Sequence, residues 1–249
     1  MISISERKLI RSLKQKKFRD QEGLFVVEGT KMVQEALNSN FQVRALYAQI
    51  EDLFLTSIPA KLVTEQQMSE ITHFTTPSPA LALVGIGADN LLNPWEKIDK
   101  SSLYLGLDSI RDPGNLGTII RIADWFGIKA IFATPDSVDL YNPKVIQASM
   151  GSIFRVPLYY VDILTVIETL NIPVWGTGTE GKSIYEASLT NNGLIIIGNE
   201  SMGISSSLRK KIANMLSIPS YPNGSNSSES LNVAVATAII CAEFRRRYP

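Results

Sequence analysis

The chain of 249 residues contains one cysteine, Cys241, and one histidine, His73. A lone thiol closes no internal disulfide and gives no sign of an oxidising compartment. With a lone imidazole beside it, a Cys/His metal centre is excluded as well. No stretch approaches the roughly 18 uninterrupted apolar residues of a membrane span. The opening MISISERKLIRSLKQKK is charged throughout and offers no apolar segment of a secretory signal. The expectation is a cytoplasmic, metal-free globular protein. What is present agrees with it: 45% hydrophobic and 19% charged residues build a sizeable core and do not describe a disordered chain. The length calls for two domains or one large α/β unit.

A net charge of zero conceals an asymmetry. Residues 1–20 carry seven Lys/Arg against two acids, and residues 205–249 carry six against two. The 184 residues between them are net −9. Basic ends on an acidic body fit a local polyanion contact, and solvated helix faces account for the same pattern.

Apolar periodicity divides the chain. Ser5 is placed to cap a first helix reaching about Lys17, with Leu9, Ile10 and Leu13 on one face. Strands are predicted at 24–29, 43–48 and 81–86, with helices from Thr30 and over 64–74. Together these make a small α/β domain over residues 1–90. A polar, proline-containing stretch, residues 91–101, reads as the linker. Beyond it, over 102–249, short apolar strands (102–108, 129–134, 155–161, 172–177, 194–199, 215–219) alternate with helical patterns. Such alternation argues for a mostly parallel sheet with helices on both faces.

Residues 176–183 read GTGTEGKS, which satisfies both the phosphate-loop pattern and G-x-G-x-x-G. A phosphate loop must open a helix whose N-terminus faces the anion. Here only the short stretch from Lys182 to Gly193 precedes the next strand, so the context fails. A nucleotidase using 176–183 is therefore the weaker reading.

Three other segments concentrate polar chemistry at predicted strand ends. In DSIRDPGNLGTIIRIADWFG (108–127), Pro113-Gly114 breaks the chain, Asn115 sits in the turn, and a helix from about Leu116 carries Arg121. In IIIGNESMGIS (195–205), a buried strand ends at Gly198 and presents Asn199 and Glu200. In IPSYPNGSNSSESLNVAVATAII (218–240), a glycine-serine loop leads to Ser230-Leu231-Asn232 at a helix start. Singly, Asn115 reads as a turn residue, Ser230 as a helix cap and Glu200 as a packing partner of Arg121. Together they put an amide, a guanidinium, a carboxylate and a hydroxyl at strand carboxyl ends, where open α/β sheets bind ligands.

The motifs N-L-G-T-x-x-R, G-N-E-x-x-G-I-S and I-P…S-L-N-V-A-V-A resemble the three motifs of the SpoU/TrmH-type RNA 2′-O-ribose methyltransferases of the SPOUT superfamily. Residues 141–157 are similar to the family's intervening segment, and FVVEGTKMVQEA (25–36) resembles its substrate-binding domain, built like small ribosomal RNA-binding proteins. The resemblance implies a deep C-terminal trefoil knot, an exception to the rule against threaded chains. It further implies an obligate homodimer with the active site at its interface. It implies S-adenosyl-L-methionine as cofactor, held around Thr177, Gly178, Gly198, Ile218 and Leu231. The substrate it implies is a ribose 2′-hydroxyl in structured RNA, with rRNA favoured over tRNA. A non-catalytic RNA-binding protein on the same fold is the alternative.

The family's site residues fall on Arg121, Asn115, Glu200, Ser230 and Asn232. The resemblance gives Arg121 the removal of the hydroxyl proton. Guanidinium is effectively always protonated, so the plainer role is binding phosphate or the developing alkoxide. Two departures flank the pocket: Pro219 and Ser230 are eleven positions apart, farther than is usual, and Ser201 stands where relatives carry glycine. With RNA as partner, the basic N-terminal helix (Arg7, Lys8, Arg11, Lys14, Lys16, Lys17 and Arg19) becomes the expected polyanion contact.

Overall fold

A computed structural model describes residues 2–54, 56–87, 98–222 and 230–248. The first half opens with α1 (Ile4–Ser12) and α2 (Lys16–Glu22), followed by β1 (Leu24–Glu28), α3 (Thr30–Leu37), β2 (Val43–Ala48), β3 (Ala60–Leu62), α4 (Glu65–Ile71) and β4 (Ala80–Gly85). The strands form one sheet in the order β1-β4-β2-β3, antiparallel except for the β2–β3 edge. Period-2 alternation sorts its side chains. Phe25, Val27, Ala82 and Val84 face α3, while Val26, Leu81 and Leu83 face α1 and α4.

The single N-terminal helix expected from the periodicity is two helices. Ser3, not Ser5, caps α1: its hydroxyl takes Glu6 N–H at 3.2 Å and Glu6 returns to Ser3 N–H at 3.0 Å. The helix ends at Ser12, and Arg19 supplies donors to the carbonyls just beyond it. One guanidinium nitrogen bonds Leu13 O at 2.8 Å and Lys14 O at 2.9 Å, which removes the need for a further helical turn. The predicted linker falls largely on residues outside the described set.

The second half contains β5 (Leu103–Leu107), α5 (Pro113–Trp125), β6 (Ile131–Ala133), α6 (Pro143–Ser149), a 3-10 turn, β7 (Leu158–Tyr160), α7 (Ile163–Leu170), β8 (Val174–Ser183), β9 (Gly193–Ile197), α8 (Ser206–Arg209), β10 (Asn214–Ser217) and α9 (Val233–Arg247). All pairings of its six strands are parallel, in the order β10-β8-β9-β5-β6-β7. Leu103, Leu105 and Leu107 point toward α5, α6 and α9, whereas Tyr104 points toward α7 and α8. Both faces are thus buried, and the apolar runs are continuous for that reason. No helix among the described residues is long and apolar enough to cross a membrane.

The chain leaves β5 toward β6 and β7 on one side, then crosses back to build β8, β9 and β10 on the other. The switch lies between β5 and β9, and ligands of open parallel sheets bind outside the strand carboxyl ends at such a point.

Residues 176–183 belong to β8 and open no helix. Their pairing with β10 jumps from Met215↔Gly176 to Leu216↔Lys182, so residues 177–181 bulge out while Lys182 sits back in the ladder. A phosphate loop needs its glycines ahead of a helix N-terminus, and this excursion ends in a strand. The nucleotidase reading is overturned.

Candidate active site at the topological switch

The cluster starts from a cap. Asp112 accepts Asn115 N–H at 2.8 Å, and Pro113 occupies the first helical position, where no N–H is needed. The helix therefore begins three residues before the Leu116 expected from sequence, and Asn115 lies in its first turn rather than in a preceding loop. That turn aims the amide across the switch. Asn115 Nδ2 donates to Glu200 Oε1 at 2.7 Å, and Asn115 Oδ1 accepts from Asn232 Nδ2 at 3.0 Å. The side-chain oxygen of Asn232 caps α9, accepting from Ala234 N–H at 3.0 Å and Val235 N–H at 3.2 Å.

Three segments separated by 85 and 117 positions thus meet in one directed chain of hydrogen bonds ending on a carboxylate. Both bonds lie at an exposed edge of the site, so they orient Glu200 without burying it. The other oxygen of Glu200 has no partner among the described residues and stays available to an incoming donor.

Several residues that the sequence reading did not single out hold this arrangement. Asp108, at the end of β5 and buried, accepts Ser205 N–H at 2.7 Å and so ties the loop after β9 to the central strand. Ser109 adopts a left-handed backbone, φ 58°, unusual for a residue with a side chain. It is held by its N–H on Thr134 at 2.8 Å, its hydroxyl on Asp136 at 2.6 Å, and its carbonyl, which accepts from Asn199 Nδ2 at 2.8 Å. The Ser109 hydroxyl, with the Thr134 and Arg111 side chains, holds the Asp136 carboxyl below the usual carboxylate range.

Asn199 also accepts Ser201 and Met202 N–H, closing the turn that presents Glu200. Gly198 is required beneath that turn: a Cβ there would lie 2.3 Å from the Gly203 carbonyl carbon. Ser201 enters the turn through its backbone N–H, so its side chain does not disturb the hairpin. The strand-end position of Asp108 was the one available signal; the Ser109 conformation has none in sequence.

Arg121 does not join the cluster. It is exposed on α5 and forms no ion pair among the described residues, so the expected Glu200–Arg121 packing pair is absent. Six positions beyond Asn115, it projects from a different face of the helix. That face also carries Trp125, which is 85% exposed. Ser230 is exposed just ahead of Leu231 and Asn232, beside the undescribed residues 223–229.

The predicted cofactor positions surround the same strand ends. Thr177 donates its hydroxyl to Ile196 O at 2.9 Å, fixing the start of the β8 excursion against β9. Gly178 is exposed, Gly198 buried, Ile218 half-buried and Leu231 exposed. This is a rim of backbone groups and apolar side chains. Its chemistry fits a nucleoside and an aliphatic chain better than a polyphosphate, which would call for cations.

The basic N-terminal residues separate into two kinds. Lys8, Arg11, Lys14 and Lys17 are exposed and form no ion pair among the described residues. Arg7 is paired with Glu70, and Lys16 with Asp20 at 2.8 Å. Arg19, expected to contact RNA, is only 3% exposed, and its charge is already met by Asp139 at 2.6 Å. Its guanidinium is a structural group. His73 is structural as well: its Nε2 bonds Ile10 O at 2.7 Å, and burial pushes its pKa down. Cys241 is buried in the core, where burial pushes the thiol up to about 12.

Residues 102–242 match the model of the SpoU rRNA methylase family, and residues 6–82 match an MRM3-like substrate-binding domain. The chain belongs to the SpoU family. It is 31% identical to the 23S rRNA (guanosine(2553)-2′-O)-methyltransferase of Bacillus subtilis, covering 94% of each chain. A solved TrmH-family protein from Porphyromonas gingivalis superposes with a TM-score of 0.85 at 37% identity, over 99% of both chains. An rRNA methyltransferase from Sinorhizobium meliloti, solved with S-adenosylmethionine bound, gives a TM-score of 0.86 at 28% identity over 100% of this chain and 98% of that one. The SpoU-family chain therefore aligns over almost its whole length with relatives of both kinds, and both sheets lie within the matched region.

Proposed function

We propose that this protein is an S-adenosylmethionine-dependent methyltransferase of a ribose 2′-hydroxyl in ribosomal RNA. The observation that carries the reading is the Asn232–Asn115–Glu200 chain, assembled from three distant segments at the switch point of a SpoU-family sheet. When bound, S-adenosylmethionine supplies a methyl group on a positively charged sulfonium. Thr177, Gly178, Gly198, Ile218 and Leu231 form its rim, mostly through backbone groups.

The protein's own contribution is orientation and proton handling. Asn115 and Asn232 hold Glu200, whose free oxygen accepts a hydrogen bond from the ribose hydroxyl. With the methyl donor bound, Glu200 would keep the hydroxyl oriented toward it and hold the hydroxyl hydrogen until it passes to solvent. Arg121 binds the neighbouring phosphate or the developing alkoxide, and Ser230 helps orient the sugar.

The working form is a homodimer. Trp125 at 85%, Val235 at 49% and Leu231 at 47% exposure are large apolar groups on or next to α5 and α9 that a second copy would cover. Covering that face brings Arg121 into an enclosed site, a place it lacks in a single copy. A C-terminal trefoil knot, implied by the family resemblance, is part of this reading; the bond from Asn232, just before α9, to Asn115 in the first turn of α5 supports it. Residues 1–90 act as the RNA-binding domain, with Lys8, Arg11, Lys14 and Lys17 as phosphate contacts, and residues 91–101 join it to the methyltransferase domain of 102–249. A cytoplasmic location is part of this reading, as expected for an rRNA-modifying enzyme of a cell that assembles its ribosomes there.

The test is incubation with unmodified rRNA and S-adenosylmethionine labelled in the methyl group, followed by nuclease digestion to identify 2′-O-methylated nucleosides. Arg121→Ala is expected to reduce turnover by about a hundredfold or more while S-adenosylhomocysteine still binds calorimetrically. Cofactor binding and RNA binding without any transfer would instead identify a non-catalytic RNA-binding protein.

A further inference from the structure

Arg19 lies at a junction between the two halves. Its second guanidinium nitrogen bonds Asp139 Oδ2 at 2.6 Å, and its first holds the carbonyls of Leu13 and Lys14 at the bend between α1 and α2. The basic elbow and the second half therefore meet at Asp139, held at close range by the Arg19 guanidinium and at 3.8 Å by Lys16 Nζ.

Asp139 leads directly into α6: its carbonyl accepts Asn142 N–H at 3.0 Å, and Asn142 caps the helix through Lys144 N–H at 2.9 Å. Helix α6 packs directly on α5 at Gly117. A Cβ there would come within 2.6 Å of Ala148 Cβ and Val145 O, so the two helices touch without an intervening side chain. Elbow, Arg19, Asp139, α6 and α5 form one stiff path ending on the helix that carries Asn115 and Arg121.

A second tie runs the opposite way. Arg155, from the methyltransferase half, bonds Asp124 of α5 at 2.9 Å through Nε and also pairs with Glu35 of α3. Apolar contacts close the space between: Phe25 and Tyr141 rings at 4.5 Å, Phe41 and Phe154 at 5.3 Å.

Burying a guanidinium to 3% exposure is expensive, and apolar residues of similar volume often do as well for stability. The best-attested use of such a pair is to fix one arrangement among several. We infer that Arg19 and Asp139 are a positioning pair that sets the reach between the basic elbow and the methyl-transfer site, and thereby selects which ribose of a docked RNA is modified. The inference rests on the function proposed above. Its physical basis is bivalency: an RNA held at two places is modified correctly only if their separation matches.

Two full-length variants test it, Asp139→Asn and the apolar pair Arg19→Met/Asp139→Leu. The latter keeps the volume filled in case the former leaves an uncompensated charge. Each is assayed on unmodified large-subunit rRNA transcript, with the methylated riboses mapped by protection from alkaline cleavage. Expected results are a KM for transcript raised about tenfold, kcat within about threefold, and methylation spread onto riboses near the main target. S-adenosylhomocysteine affinity should stay at the wild-type value. Wild-type KM with methylation confined to the original ribose in the folded apolar pair would overturn the inference, as would a fall in kcat alone at that same ribose. Failure of the wild-type protein to methylate any ribose would sink the proposed function instead, a separate result.

Discussion

Both ends of this chain are basic in sequence, and they differ in how many of their cations are already engaged. At the N-terminal elbow, Lys8, Arg11, Lys14 and Lys17 face solvent without ion pairs among the described residues. At the C-terminal end of α9, every arginine is engaged. Arg245 bonds Phe126 O at 2.7 Å and Gly127 O at 2.8 Å. Arg246 and Arg247 both hold Glu243, and Arg247 reaches the carbonyls of Ile184 and Tyr185 at 2.9 and 2.8 Å. The C-terminal cations fasten α9 to the loop after β8 and to the end of α5; the N-terminal ones are free for a polyanion. Counting charge finds both clusters, and only the positions of neighbouring carbonyls tell them apart.

The contrast breaks first at Arg247. Arg247→Ala removes a cation serving several carbonyls, and chemical denaturation should register a loss of about 2–4 kcal/mol. RNA affinity of the folded variant should be unaffected. Replacing Lys8, Arg11, Lys14 and Lys17 together by glutamine is expected to do the reverse. RNA affinity should fall by on the order of a hundredfold, with the salt slope reduced by about 0.7–0.9 per lost phosphate contact. The thermal midpoint should hardly move, and an unchanged salt slope would remove the elbow from the interface.

A smaller effect sharpens the C-terminal side through pH. Bonds from Arg246 and Arg247 hold the Glu243 carboxyl down at about 2, against an ordinary value of 4.5. Because the folded value is depressed, its stabilisation is complete above about 4.5 and is lost as pH falls toward about 2. Glu243→Gln should flatten the denaturation midpoint against pH in that window; an unchanged slope would mean the clasp is weak in solution. The least effect belongs to Lys16→Ala, whose exposed pair with Asp20 and 3.8 Å contact with Asp139 should together be worth under about 1 kcal/mol by denaturation.

Strands β5 and β9 were legible because both their faces are buried and their runs are unbroken. Helices α5 and α9 were legible from periodicity, and the motif spacing brought Asn115, Glu200 and Asn232 forward as one constellation. The three-residue β3 was not foreseen, since all its side chains are exposed and no alternation marks it. The far half of β8 was read as a loop because glycines dominate it, although β10 recaptures it at Lys182. The break after α1 was hidden because Arg19, which serves the carbonyls just beyond it, lies six residues downstream of Leu13 and acts through a side chain.

By itself the sequence determined the parallel sheet, the family and the three polar segments. These depend on apolar periodicity and local spacing, which are written along the chain. Tertiary structure decided that Arg19 is buried while Lys17 is free, that Arg121 stands apart from Glu200, and that Ser109 and Asp108 brace the switch. Each of those outcomes turns on which carbonyl or carboxylate arrives from a distant segment. A charged side chain is committed or available according to that arrival, and no local pattern encodes it.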